Sequence, residues 1–162
     1  MKKLTLIMLL CLLGCFTLMA VAEEPADAAA DAAVESAPFT LLDRALLVAE
    51  DRDDLLEMTE DDLYDLIGIA PEEYTDFAYL SHIDSLTGRE LIIVSAVDEE
   101  AAQRIVELLQ GYLEIRLHET RNYLPETYRV LLEAKVTQQE LLVVLSIAAP
   151  NAEEVELLLT EE

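Results

Sequence analysis

The chain has 162 residues, of which 34 are Asp or Glu and 10 are Lys or Arg, for a formal charge of −24. A surface of that sign repels phosphate backbones and anionic headgroups, which excludes nucleic acid as a partner and membrane association through charge, and leaves cations, basic peptides and basic proteins as partners. Both cysteines, Cys11 and Cys15, lie at the extreme N-terminus, so the remainder has no disulfide framework, no thiolate nucleophile and no cysteine metal site.

The chain opens with Lys2 and Lys3, an uncharged run from Leu4 to Met19, and the small residues Ala20 and Ala22 ahead of Glu23. This order predicts a signal peptide over residues 1–22, cut between Ala22 and Glu23. Leu12-Leu13-Gly14-Cys15 offers a second processing site, a lipobox cut before a lipidated Cys15. Either route predicts an exported protein, extracellular or anchored to the outer face of the cytoplasmic membrane, with membrane contact only through the N-terminal signal or lipid. Residues 23–38 are rich in Ala and acids and carry almost nothing that could bury a core, which predicts a linker.

Residues 39–162 are expected to form a single α+β domain. Thr40 caps a helix from Leu41 whose apolar face is Leu42, Ala45, Leu46 and Ala49, in a segment ending at Met58. Thr59 caps a second helix with Leu63, Leu66 and Ile67 as its face, stopped at Gly68. After Pro71, Tyr74 to Ile83 alternates, with Phe77 and Tyr79 on one side and Ala78 and Leu80 on the other. A turn over residues 84–89 leads to Leu91–Val97, apolar on both faces and therefore central. Asp98 caps the longest helix, Glu99 to Thr120, with Ala101, Ile105, Leu108, Leu109, Tyr112 and Ile115 inward. Tyr123-Leu124-Pro125 ends it, and an ambiguous stretch runs to Glu133. Ala134–Thr137 and Leu141–Ala148 form a hairpin turning at Gln138-Gln139, and Asn151 caps a last helix. The order α-α-β-β-α-β-β-α predicts an antiparallel sheet of about four strands with helices on one side.

Leu63-Tyr64 followed by Ile67, then Glu90-Leu91-Ile92-Ile93-Val94 leading into Asp98, the long helix ending in Tyr123-Leu124-Pro125, and the Val136–Ile147 hairpin occur in an order that resembles the bacterial domain of unknown function 4358 family. The similarity covers nearly all of Met58 to Ile147. It implies an exported or lipid-anchored protein of mostly Gram-positive bacteria, and it carries no activity, substrate or catalytic residue. Two positions depart from the family pattern: Gln138-Gln139-Glu140 stands where a Gly precedes the last strand, and Tyr112 stands where a basic residue is expected.

The densest acids, Glu50 to Asp62, include Asp51, Asp53, Asp54 and Asp62 as weak cation candidates, but they lack the glycine and oxygen spacing of a calcium loop, and a solvated, capping helix face explains them better. Ser81-His82-Ile83-Asp84 resembles a hydrolase triad only in composition, because adjacent strand residues point to opposite faces. His82 and His118 stand in different elements, so no transition-metal site and no cofactor is expected. Arg104, Arg116 and Arg121 are explained as surface pairs with neighbouring Glu. The leading expectation is a non-enzymatic extracytoplasmic binding or interaction module of the bacterial cell envelope, using a strand edge or the Phe77/Tyr79 face to hold an envelope or extracellular protein. The alternatives are a carboxylate-dependent hydrolase acting on an envelope polymer, with catalytic residues unknown, and a weak calcium-dependent surface protein.

Overall fold

A computed structural model describes residues 39–49 and 52–148. The expected signal peptide, Cys15, the Ala22/Glu23 cut, the linker, Asp51 and the Asn151 helix lie outside the described residues. The described part contains α1 (Leu41–Val48), β1 (Leu55–Glu57), α2 (Glu60–Ile67), β2 (Tyr74–His82), β3 (Glu90–Ala96), α3 (Glu99–Thr120), α4 (Pro125–Leu132), β4 (Lys135–Gln139) and β5 (Leu142–Ile147). All strand pairs are antiparallel, in the order β1-β2-β3-β5-β4. The α+β class is as expected, with five strands rather than about four.

Alternation along the strands divides the core in two. Tyr79, Ile92, Val94, Val143, Leu145 and Ile147 face α2, α3 and α4, which contribute Leu63, Ile67, Ala101, Ile105, Leu109 and Leu131. Ala78, Leu80, Leu91, Ile93 and Val144 face the other way, where Leu41 and Ala45 of α1 pack on them. The expectation of helices on one side is thus corrected. Three helices cover one face and α1 covers part of the other, because a central strand apolar on both faces must be shielded on both.

Local chemistry fixes where the helices begin and end. Thr40 and Thr59 each form a reciprocal capping box with the Asp three residues on. Those bonds hold the Asp43 and Asp62 carboxyls below their usual range, the Thr backbone N–H contributing most and its hydroxyl next. The start of α1 is also tied to the sheet. An irregularity between Tyr74 and Asp76 turns the Asp76 carboxylate so that it accepts the Leu41 N–H at 3.0 Å and the Phe77 N–H at 2.9 Å. Gly88, at φ 68°, closes the turn before β3, and a Cβ there would lie 2.8 Å from the Thr127 methyl. The Thr127 hydroxyl donates to the Leu86 carbonyl, so this turn and α4 are pressed together.

Three elements differ from the sequence reading. The helix expected to run to Met58 stops at Val48, and Leu55–Glu57 instead pairs with Leu80–His82 as an edge strand; strand pairing overrides the helical preference of Leu and Glu. The ambiguous stretch after Pro125 is α4, with Pro at its first position. The hairpin turns at Glu140-Leu141 rather than Gln138-Gln139, since Gln139 pairs with Leu142. Glu140 there adopts φ 51°, a left-handed conformation that glycine takes without a Cβ penalty. Glu140→Gly is expected to stabilise the domain by up to about 1 kcal/mol, while Gln139→Gly, at an extended position, destabilises it; urea unfolding of the two variants checks the sign of each.

Candidate functional site

The most enclosed charged group at the sheet is Glu90, which opens β3 and is only 7% exposed. It lies in a cross-strand row with Leu56, Ser81 and Ile147, on the face covered by α3. From α3, Tyr112 donates its hydroxyl hydrogen to one Glu90 oxygen at 2.7 Å, and Arg116 forms an ion pair with the other. The Arg116 guanidinium also donates to the Tyr112 oxygen at 2.7 Å and lies 5.6 Å from its ring centroid. The Tyr79 hydroxyl is 3.3 Å from that of Tyr112. Tyr112 has a single hydroxyl hydrogen, already given to Glu90, so Tyr79 is the donor in this last bond.

The electrostatics follow from this geometry. Burial, then the Glu90 charge, push the Tyr79 hydroxyl well above the ordinary phenol range and raise that of Tyr112. For Arg116, burial opposes the charge, and the Glu90 carboxylate and its hydrogen bond more than restore it, so the guanidinium binds its proton more tightly than usual. Both Glu90 oxygens are occupied and both phenols resist ionisation. The cluster therefore holds charge in place and offers no poised acid or base. Tyr112 supplies the hydrogen bond, and Arg116, one turn further on, supplies the charge.

A second pair ties the other end of α3. Glu73, 8% exposed, accepts the Ala70 N–H at 2.8 Å and forms an ion pair with Arg104. That bond, first, and the Glu73 charge raise the Arg104 pKa. The surface-pair reading holds in part for Arg104, whose guanidinium lies 3.8 Å from Glu100 one turn earlier, and is corrected for Arg116. Arg104 and Arg116 reach enclosed glutamates 31 and 26 residues away in sequence, and sequence spacing cannot reveal partners at that distance. The one sequence cue to Glu90 is its place at the head of the apolar run Leu91–Val94.

The remaining candidates do not converge. His82 accepts the Asp84 N–H through Nδ1 at 3.0 Å, and Ser81 faces the opposite side of β2. His118 is exposed on α3. Asp62 spends its carboxylate on Thr59, and Asp53 and Asp54 are exposed in the short turn before β1. Among the described residues there is no group of three or more His, Cys, Asp or Glu that could hold a metal ion, and no helix long and apolar enough to cross a membrane. Phe77 and Tyr79 are core residues: Tyr79 is 2% exposed, and the Phe77 ring packs edge-on against Tyr74 at 5.3 Å. The aromatic binding face is thereby withdrawn. Ile115, expected inward, is exposed, and Leu113 and Leu117 pack in its place.

A family model described as a domain of unknown function, DUF4358, matches residues 49–148. The chain belongs to this family. The matched span runs from the end of α1 to the end of β5 and contains the whole DUF4358 sheet with both glutamate–arginine pairs. No curated protein and no solved structure matches the chain.

Arg116→Met leaves Glu90 charged and enclosed without its counter-ion and is expected to cost about 3–5 kcal/mol, whereas Arg116→Met with Glu90→Leu recovers most of that loss. Tyr112→Phe is expected to cost about 1–3 kcal/mol. Urea unfolding of the three variants measures these differences. The capping carboxylates set a pH dependence of known sign. Their folded pKa values are depressed, so the stability they confer is present above the ordinary value near 3.8 and lost as pH falls through the folded values. Asp43→Asn with Asp62→Asn is expected to flatten the fall in unfolding free energy between pH 5 and pH 3, measured by denaturant titration at each pH.

Proposed function

We propose that the domain is a non-enzymatic interaction module of the bacterial cell envelope, held outside the cytoplasm, that binds a protein partner by strand addition at an edge of its sheet. One observation carries the reading: among the described residues β1 and β4 each pair with a neighbour on one side only, so both ends of the sheet turn main-chain donors and acceptors outward. The enclosed glutamates, by contrast, are consumed in holding α3 to the sheet. Support for the location comes from the sequence: the basic start, the apolar run and the two processing sites. Export puts an acidic domain where basic segments of other envelope proteins are accessible to it.

Photo-crosslinking groups placed at Leu56 on β1, Gln138 on β4 and Gln110 on the polar face of α3, in the chain as its own cells process it, test the reading. Adducts from an edge position and none from Gln110 are expected, together with an intact mass beginning at Glu23 or at an acylated Cys15. Adducts from Gln110 alone would overturn strand addition, and a chain that keeps Met1 would overturn export.

A further inference from the structure

We infer that the edge which receives the partner is β1, and that the partner segment is an extended strand alternating apolar and basic residues; the inference rests on the strand-addition reading and names its site and its ligand chemistry. The hydrogen-bond register identifies the open groups. The Ile83 N–H bonds to the Asp54 carbonyl and the Met58 N–H to the Tyr79 carbonyl, both at 2.8 Å. In an antiparallel pair these positions alternate with ones that point away, so Leu56 shares the inward phase while Leu55 and Glu57 turn N–H and C=O to the free side. An added strand can bond to all four of those groups.

Side chains at this edge define what that strand carries. Leu56 is 47% exposed, and Ile83, its diagonal neighbour on the same face, is 62% exposed. Together they present an apolar strip that a Val-like side chain opposite Leu56 would cover. Glu57 stands on the other face, exposed, where the next residue of an added strand would point. Asp53, Asp54, Glu60 and Asp61 lie within four residues of the strand and are exposed, with Arg52 the one base in residues 52–62. The complementary sequence is therefore apolar toward Leu56 and Lys or Arg toward Glu57. The opposite edge is less suited: β4 carries Lys135, a charge that discourages strand pairing, and Gln138 and Gln139. A second copy of the chain is disfavoured at either edge by a net charge of −24.

The probe is an acetylated, amidated peptide of alternating Lys and Val, five residues long, titrated into the isotope-labelled chain as its own cells process it. Amide shifts are expected to concentrate at Leu55, Leu56, Glu57 and Ile83. Affinity is expected to fall about tenfold between low salt and physiological salt, as for association steered by charge. Leu56→Lys, at an exposed position that leaves the core intact, is expected to weaken binding about tenfold or more, and so is N-methylation of the peptide amides that would face Leu55 and Glu57. Shifts centred on Val136 and Gln138 would overturn the choice of β1 while preserving strand addition. Diffuse shifts unaffected by N-methylation would reduce the effect to bulk charge, and the absence of shifts would also overturn the inference; in neither case do the crosslinking outcomes above change.

Discussion

A carboxylate taken out of water costs several kcal/mol unless its charge and its lone pairs are met where it sits. Glu90 is such a group, placed at the first position of the strand that runs through the middle of the sheet. The side chains that bond to it, Tyr112 and Arg116, come from two successive turns of α3, and Tyr79 in turn donates to Tyr112. The long helix can therefore neither slide by a turn nor rotate about its axis without stranding that charge. Apolar packing tolerates small shifts of register, whereas this cluster does not. Glu73 and Arg104 repeat the arrangement nearer the start of the helix, so α3 is pinned at two points along its length. The cluster thus acts as a gauge of register, and the surrounding leucines and isoleucines supply most of the burial energy.

A second constraint is the two-sided burial of β3. Five of its seven residues are enclosed apolar side chains shared between opposite faces, apart from Glu90 itself and the half-buried Ser95. This forces a layered architecture, with α2, α3 and α4 on one side and α1 on the other. The short α1 is held there by Leu41 and Ala45 packing on the sheet and by Asp76, which receives its first free N–H.

Much of this was legible in the sequence. The Asp98 cap and the 22-residue α3 appear where the periodicity puts them, the facing of Phe77 and Tyr79 against Ala78 and Leu80 is as read, and both capping boxes form. The failures share a cause. A three-residue strand such as β1 is too short to carry a period, and it exists through its partner β2. The placement of α1 was implied by the apolar character of β3 on both faces, a signal at odds with a sheet covered on one side. The glutamate–arginine pairs are contacts between elements distant in sequence, and residue type alone marks a charged side chain as solvated. Two further features became intelligible only in three dimensions: Tyr112 shares the Glu90 carboxylate with Arg116, and Glu140 accepts a backbone angle better suited to glycine.

The attachment of α1 has a mechanical consequence. Tension applied to the chain ahead of Thr40 would enter the domain through the first turn of that helix, at the Leu41–Asp76 bond and the contacts of Leu41 and Ala45 with the sheet. That junction rests on one hydrogen bond and a small apolar contact, whereas the strand ladders behind it hold many bonds in parallel. The helix would lift away first, at low force, baring Ala78, Leu80, Leu91 and Ile93, while the opposite layer, clamped by its buried ion pairs, held its shape. The domain thus has a detachable cover on one face and a rigid body on the other, and the side from which it is pulled decides which of the two yields.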